Sequence, residues 1–183
     1  MRSNSELTVL LQSVATGDKA AFTALYRDLE KPVFRFVTSK LNDPFEANDI
    51  LHEVFMEIWR SAGNFEGRST VKTWIFGIAY RKVMDRFRKT KNTVVSDNLP
   101  DAPDEGPDQV DQLEASEQGV HIRFCMDQLS PEHRMAVELA FYEDMNYREV
   151  AETVGTAEGT VKTRIFHAKK LLQRCLETRI GKE

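Results

Sequence analysis

A chain of 183 residues that is 41% hydrophobic is long enough for one ordinary domain or two small ones, and this composition argues against disorder throughout. The sequence has no run of about eighteen apolar residues, and its polar N-terminus has no signal-peptide pattern, so we expect a cytoplasmic protein without membrane insertion. The net charge of −4 disfavours a nucleic-acid partner, but the charges are unevenly distributed along the chain.

Helical apolar spacing dominates the first half of the chain. Ser5 is a candidate cap for a first helix whose apolar stripe covers residues 7–14, and Gly17 ends that helix. A second helix continues the apolar spacing over residues 22–41, and we expect Pro32 to bend or restart it.

Two further helices of opposite charge follow. The first, between Ala47 and Ala62, has apolar residues at helical spacing and an acidic opposite face. A loop with two glycines and a phenylalanine, residues 63–69, leads to a helix from about Thr70 to Lys89 that ends in a basic cluster. The predicted pair therefore offers an acidic surface and a basic surface close together in sequence.

Residues 93–114 form an acidic segment rich in proline. Between Ser96 and Gln118 there is no lysine or arginine, and the carboxylates are Asp97, Asp101, Asp104, Glu105, Asp108, Asp111, Glu114 and Glu117. This segment has too little apolar surface to fold, so we predict a flexible linker.

The second half contains a predicted helix-turn-helix over residues 146–176. Ahead of it, a helix begins at about Leu113, and Ser130 and Pro131 open another, with its apolar residues from Ala136 to Phe141 expected to be buried. Within the motif, Asn146 and Glu149 fit a capping box, Gly155 fits the turn and Thr156 is a candidate cap for the second helix. The outward face of that second helix is predicted to carry Lys162, Thr163, Phe166, His167, Lys169 and Lys170. Lysines, a hydroxyl, an imidazole and an aromatic ring suit the major groove of DNA.

The cysteines and histidines give no indication of a metal centre or an active site. Cys125 and Cys175 lie far apart at apolar positions of predicted helices, which favours two buried thiols over a disulfide. His121 lies four residues before Cys125, but two ligands do not make a metal site. No phosphate-binding glycine loop or nucleophile elbow is present in the sequence, so we expect neither an enzyme nor a cofactor.

Six stretches in the same order resemble bacterial extracytoplasmic-function sigma factors. They are GDKAAFTALY, DILHEVFMEIW, NFEGRSTVKTWIFGIAYRKVMDRFRK, the acidic linker, LSPEHR and EGTVKTRIFHAKKLL. The resemblance implies an all-α protein of two small helical domains joined by a flexible acidic linker, the second containing the helix-turn-helix. Residues 1–92 would form sigma region 2, residues 93–114 the linker, and residues 115–183 sigma region 4.

The resemblance also implies partners and roles. The partners would be core RNA polymerase, promoter DNA and an anti-sigma factor. The residues implied for polymerase binding are Asp49, His52, Glu53 and Glu57; for the −10 element, Asn64, Arg68, Lys72, Arg81, Lys82 and Arg88; for the −35 element, Lys162, Thr163, Arg164, Phe166, His167 and Lys170. His52 stands where the family usually has glutamine and His167 where it usually has arginine, so the familiar −35 consensus does not transfer directly.

A second interpretation is a stand-alone regulator that dimerises through its first half and binds palindromic duplex DNA without polymerase. The loop at Asn64 and the basic cluster from Arg81 to Lys91 argue for the sigma factor, since capturing a DNA strand requires them and dimerisation does not.

Overall fold

The computed structural model describes residues 2–38, 40–41, 43–91 and 117–180, and within these ranges it contains helices and no strand. The α-helices are α1 Asn4–Ala15, α2 Lys19–Thr38, α3 Pro44–Ser61, α4 Val71–Lys91, α5 Glu117–Asp127, α6 Pro131–Val137, α7 Tyr147–Val154 and α8 Glu158–Ile180. A 3₁₀ turn, Ala62–Asn64, follows α3, and a π-helical turn, Glu138–Tyr142, continues α6. The all-α prediction is confirmed, while the predicted linker, residues 93–114, lies outside the described residues.

Local side-chain caps decide where the first two helices begin. The Ser3 hydroxyl accepts from the Glu6 N–H while the Glu6 carboxylate accepts from the Ser3 N–H, so Ser3 caps α1 and the prediction of Ser5 was wrong. The reason is spacing, because Ser3 has a glutamate three residues on and thus completes a capping box. The Asp18 carboxylate accepts from the N–H groups of Ala20 and Ala21 and caps α2.

Helix α2 runs through Pro32 without restarting. Proline removes one backbone hydrogen bond, but the fully buried Leu29 and Val33 on either side hold both parts of the helix against the core. Phe22 contacts Trp59 of α3 edge to face at 5.1 Å between ring centroids, and Phe36 contacts Phe76 of α4 at 5.3 Å. These aromatic pairs join the three long helices of the first half and fix their relative positions.

The second half folds around the helix-turn-helix, α7 and α8. Asn146 and Glu149 form the predicted capping box, and Gly155 has φ +66°, so both predictions are confirmed. The left-handed conformation at the end of α7 is what favours glycine there. Helix α8 begins at Glu158, so Ala157 and not Thr156 stands immediately before it, and the predicted cap was wrong by one residue.

Two further predictions about the second half were wrong. Cys125 and Cys175 form a disulfide, because α5 packs against α8 and brings their Cα atoms to 5.8 Å although 50 residues separate them in sequence. Phe141 is 51% exposed rather than buried. It lies in the π-helical turn, whose wider backbone rotates the following side chains relative to an α-helix, and the Lys169 ammonium lies 4.8 Å from its ring centroid.

The two halves pack against each other. Helix α4 of the first half contacts α7 of the second, and one continuous apolar core includes buried residues of both. A smaller cluster of Met126, Leu129, Val137 and Ala168 lies between α5, α6 and α8. None of the helices in the described ranges combines the length and hydropathy needed to cross a bilayer.

Candidate nucleic-acid interface

One face of α8 is buried and the opposite face carries the residues predicted to read the −35 element. Val161, Ile165 and Ala168 are buried against the rest of the second half. On the opposite side Lys162, Thr163, Phe166, His167 and Lys170 are exposed. Arg164, at the edge of this set, is half-buried. Five of the six predicted residues therefore share one accessible helical surface.

The side chains on this surface have replaceable partners. Lys162 Nζ lies 2.7 Å from the Glu158 carboxylate, and this hydrogen bond raises the pKa of Lys162, so the lysine is charged at neutral pH. An exposed pair of this kind contributes little to stability, so phosphate can take the place of Glu158. The Thr163 hydroxyl donates to the Gly159 carbonyl at 3.0 Å and its oxygen can still accept. The Lys170 ammonium lies 4.6 Å from the Phe166 ring centroid.

A second histidine, His133 on α6, lies beside His167. Their ring centroids are 6.4 Å apart, and His133 Nδ1 is 3.0 Å from the Ser130 hydroxyl. His133 was not among the residues predicted from the sequence, because its contact with His167 joins two helices that are distant in sequence. The only local indication of a role for His133 is its place in the first turn of α6, directly after the Ser130 cap.

The residues predicted to read the −10 element lie on different sides of α4 and on the turn before it. Asn64 and Arg68 are exposed before the helix, and Arg68 pairs with Glu66 at 2.6 Å. Arg81 and Arg88 are exposed and seven residues apart, which places them on one face of α4. Asp85, one helical turn before Arg88, pairs with it at 2.5 Å.

The other two predicted residues point away from that face. Lys82 Nζ lies 3.7 Å from the Glu53 carboxylate of α3. Lys72 faces the second half of the protein, where its ammonium donates to the Glu143 carbonyl at 3.2 Å and lies 3.5 Å from the Glu143 carboxylate. The six predicted residues therefore do not form one continuous surface in this structure.

The acidic face predicted for polymerase binding lies along α3. Asp49, His52 and Glu53 are exposed and Glu57 is half-buried. Glu53 also lies 3.8 Å from Arg86 of α4, so the acidic and basic surfaces of the first half are in direct contact.

Two apolar residues extend this acidic face, and sequence analysis missed both. Phe45, 81% exposed, and the exposed Met56 lie on the same side of α3 as Asp49 and His52. The spacing of these four residues, in steps of three or four, was the signal that could have identified them.

A buried lysine lies beside an exposed glutamate where the end of α2 approaches α6. The Lys40 side chain is 5% exposed and its ammonium lies 4.0 Å from the Glu132 carboxylate. Burial lowers the pKa of Lys40, which the attraction of Glu132 partly offsets. The pKa of Glu132 is lowered chiefly by a hydrogen bond from its own backbone N–H and also by the charge of Lys40. Arg164 adds positive charge to this region and affects both groups.

Within the described ranges, no three histidine, cysteine, aspartate or glutamate side chains are grouped as metal ligands. His121 and Cys125, the two possible ligands in the sequence, both have other partners. His121 Nδ1 accepts from Arg179 Nε at 3.0 Å, and Cys125 is in the disulfide.

Comparison with known proteins relates this arrangement to a family. The family model for Sigma-70 region 2 matches residues 25–93, and the model for Sigma-70, region 4 matches residues 120–172. Among structures, CnrH in complex with the cytosolic domain of CnrY has a TM-score of 0.65 at 19% identity, covering 94% of this chain and 98% of CnrH. The sigma factor RpoE in complex with NepR from Bartonella quintana has a TM-score of 0.61 at 23% identity, covering 84% and 97%. Both share the fold of this chain.

Sequence relatives match along nearly the whole length. The ECF RNA polymerase sigma factor SigK of Mycobacterium sp. (strain JLS) is 30% identical over 176 residues, which cover 94% of this chain and 91% of that protein. The SigK of Mycobacterium ulcerans (strain Agy99) is 27% identical over 178 residues, covering 95% of each chain. The chain therefore belongs to the ECF family of RNA polymerase sigma factors.

Proposed function

We propose that this sigma factor binds core RNA polymerase and directs initiation with two separate DNA readers. Residues 1–92 act as region 2, which binds polymerase and reads and melts the −10 element, and residues 115–183 act as region 4, which reads the −35 element. The carrying observation is that the two region models match residues 25–93 and 120–172, on either side of the acidic segment 93–114.

Region 2 offers two surfaces for these tasks. The acidic side of α3, with Asp49, His52, Glu53 and Glu57, binds a basic surface of the polymerase, and its exposure and charge support this role. Asn64 and Arg68 lie beside a glycine-containing turn that can receive an unstacked base. Lys72, Arg81, Lys82 and Arg88 hold the phosphates of the opened strand.

Region 4 reads duplex DNA with α8. Lys162 and Lys170 are suited to phosphates, while Thr163, Arg164 and His167 supply hydrogen-bonding groups for base edges and Phe166 supplies apolar surface for a thymine methyl. The capped α7 and the left-handed Gly155 lead into this helix, which is the order of elements in a helix-turn-helix.

We also infer control by an anti-sigma factor. CnrH and RpoE, whose folds resemble this one, were solved in complex with CnrY and with the anti-sigma factor NepR, respectively. A protein partner that covers the acidic side of α3 and the DNA readers would keep the sigma factor from polymerase and from promoter DNA until a signal releases it.

The test is run-off transcription with purified core polymerase on a library of promoter DNA, with and without the protein. We expect initiation that requires the protein and falls by about tenfold or more in Lys162→Ala/Thr163→Ala and in Arg81→Ala/Lys82→Ala, because each pair removes two DNA contacts. Lys19→Ala and Lys19→Ala/Arg27→Ala, which remove one and two exposed positive charges of α2, are the matched controls.

Initiation that does not depend on the protein, together with tight binding of the protein alone to a palindromic duplex, would contradict the proposal. That result would favour the stand-alone dimeric regulator.

A further inference from the structure

Glu143 is a buried carboxylate of the second half that is held by two cations of the first half. Its side chain is 3% exposed. Arg35 Nη2 of α2 donates to it at 2.8 Å, and Lys72 Nζ of α4 lies 3.5 Å from its other oxygen. The two cations come from different helices and converge on one acidic group, so this contact joins three elements.

The position of Glu143 at the end of a helix makes its negative charge depend on nearby cations for stabilisation. Glu143 follows the π-helical turn directly, and its N–H donates to the Glu138 carbonyl at 3.3 Å, so it lies at the C-terminal end of a helix. A negative charge is unfavourable at that end, where cations are favoured. Arg35 and Lys72 supply those cations, and Lys72 also donates to the Glu143 backbone carbonyl at 3.2 Å.

Further contacts surround the same point. The Arg35 guanidinium lies 4.8 Å from the Tyr142 ring centroid, so a single arginine contacts two consecutive residues of the second half. Close by, α4 packs against α7. An apolar contact between the halves is therefore accompanied by a charged contact whose geometry fixes their orientation.

Lys72 cannot serve this contact and promoter DNA at once. Its side chain is 15% exposed where it meets Glu143, so little of it is accessible to a phosphate while the contact holds. Opened promoter DNA and Glu143 thus compete for the same ammonium group.

We propose that Glu143 latches the two halves of the protein into a closed form that withholds Lys72 from promoter DNA until the halves separate. The proposal rests on the −10 role assigned to Lys72 above. Removing one partner of a buried ion pair leaves the other charges uncompensated, which makes such a contact a sensitive switch.

The test uses the full-length protein without polymerase and two measurements. Small-angle X-ray scattering gives the radius of gyration, and fluorescence anisotropy gives the affinity for a short single-stranded DNA of random sequence. We expect Glu143→Gln to increase the radius of gyration and to tighten DNA binding by about tenfold, because the fraction of protein competent to bind rises. Arg35→Gln, which breaks the contact from the other half, should have the same effect.

Glu152→Gln is the matched control, since Glu152 is exposed on α7 and pairs with Arg148 of the same helix at 3.0 Å. It should leave both measurements at the parental values. An unchanged radius of gyration in both latch variants would overturn the proposal, as would a larger radius without any gain in DNA affinity. Run-off transcription by the parent protein separates the two hypotheses, because its failure contradicts the sigma function whatever the scattering shows.

Discussion

At the scale of single residues, His167 is the predicted −35 contact where the family resemblance implies an arginine instead. A neutral imidazole offers one donor and one acceptor, whereas arginine offers a planar fork that can bind guanine at two points. We expect His167→Arg to tighten binding to duplex promoters that present guanine opposite α8, by about tenfold, and to leave other promoters less affected. Selection of promoter DNA from a library, followed by sequencing, measures the change in preference.

A control variant distinguishes base recognition by His167→Arg from the effect of its added positive charge. Gln128→Arg places the same positive charge on the exposed segment after α5. It should strengthen binding slightly and equally for all promoters. If His167→Arg behaves in the same way, His167 does not face the bases.

At the scale of secondary-structure elements, the disulfide between α5 and α8 stabilises the second half. Cross-linking residues separated by 50 positions reduces the entropy of the unfolded chain by an amount equivalent to about 4 kcal/mol. We expect Cys125→Ser/Cys175→Ser to lower the free energy of unfolding by a large part of that value, measured by chemical denaturation of oxidised protein. In excess reductant the parent should lose the same stability, and the difference between the two proteins should disappear. Equal stability under oxidising conditions would contradict a structural role for the bond.

Some of these structural elements could be predicted from the sequence and others could not. Helix spacing, the Asn146 capping box and the Gly155 turn depend on residues within a few positions of one another, and these predictions are confirmed. The disulfide of Cys125 depends on how two distant helices pack, and the exposure of Phe141 depends on a π-helical turn without a local sequence signature. Features that depend on neighbouring residues could be predicted from the sequence, whereas features that depend on long-range packing could not.

The residues of the candidate site also differ in whether the sequence could predict their surroundings. The exposed face of α8 follows from helical periodicity, so its members were identified from spacing. Lys72 was predicted to contact the −10 element from its residue type and from the family resemblance. Its contact with Glu143 joins residues that are far apart in sequence, and no local pattern encodes it.

At the scale of the whole molecule, we expect two different electrostatic effects on DNA binding. The pairing of Glu143 is short-range and buried, so salt screens it weakly. We hypothesise that the acidic segment, residues 93–114, also lowers the affinity for DNA, and that its charge acts at longer range. Replacing its seven carboxylates Asp97, Asp101, Asp104, Glu105, Asp108, Asp111 and Glu114 by asparagine or glutamine moves the net charge from −4 to +3.

This difference in range gives a prediction that separates the two effects. Without polymerase, the neutralised protein should bind duplex DNA more tightly than the parent at low salt, and this gain should shrink as the Debye length falls from about 30 Å at 0.01 M to about 10 Å at 0.1 M salt. The gain from Glu143→Gln should persist over the same range, because that carboxylate is buried. Anisotropy titrations of both variants across the salt series measure the two trends. If neutralisation leaves the affinity unchanged even at 0.01 M salt, the acidic segment does not restrain DNA binding, and the contact between the halves is the remaining inhibitory element.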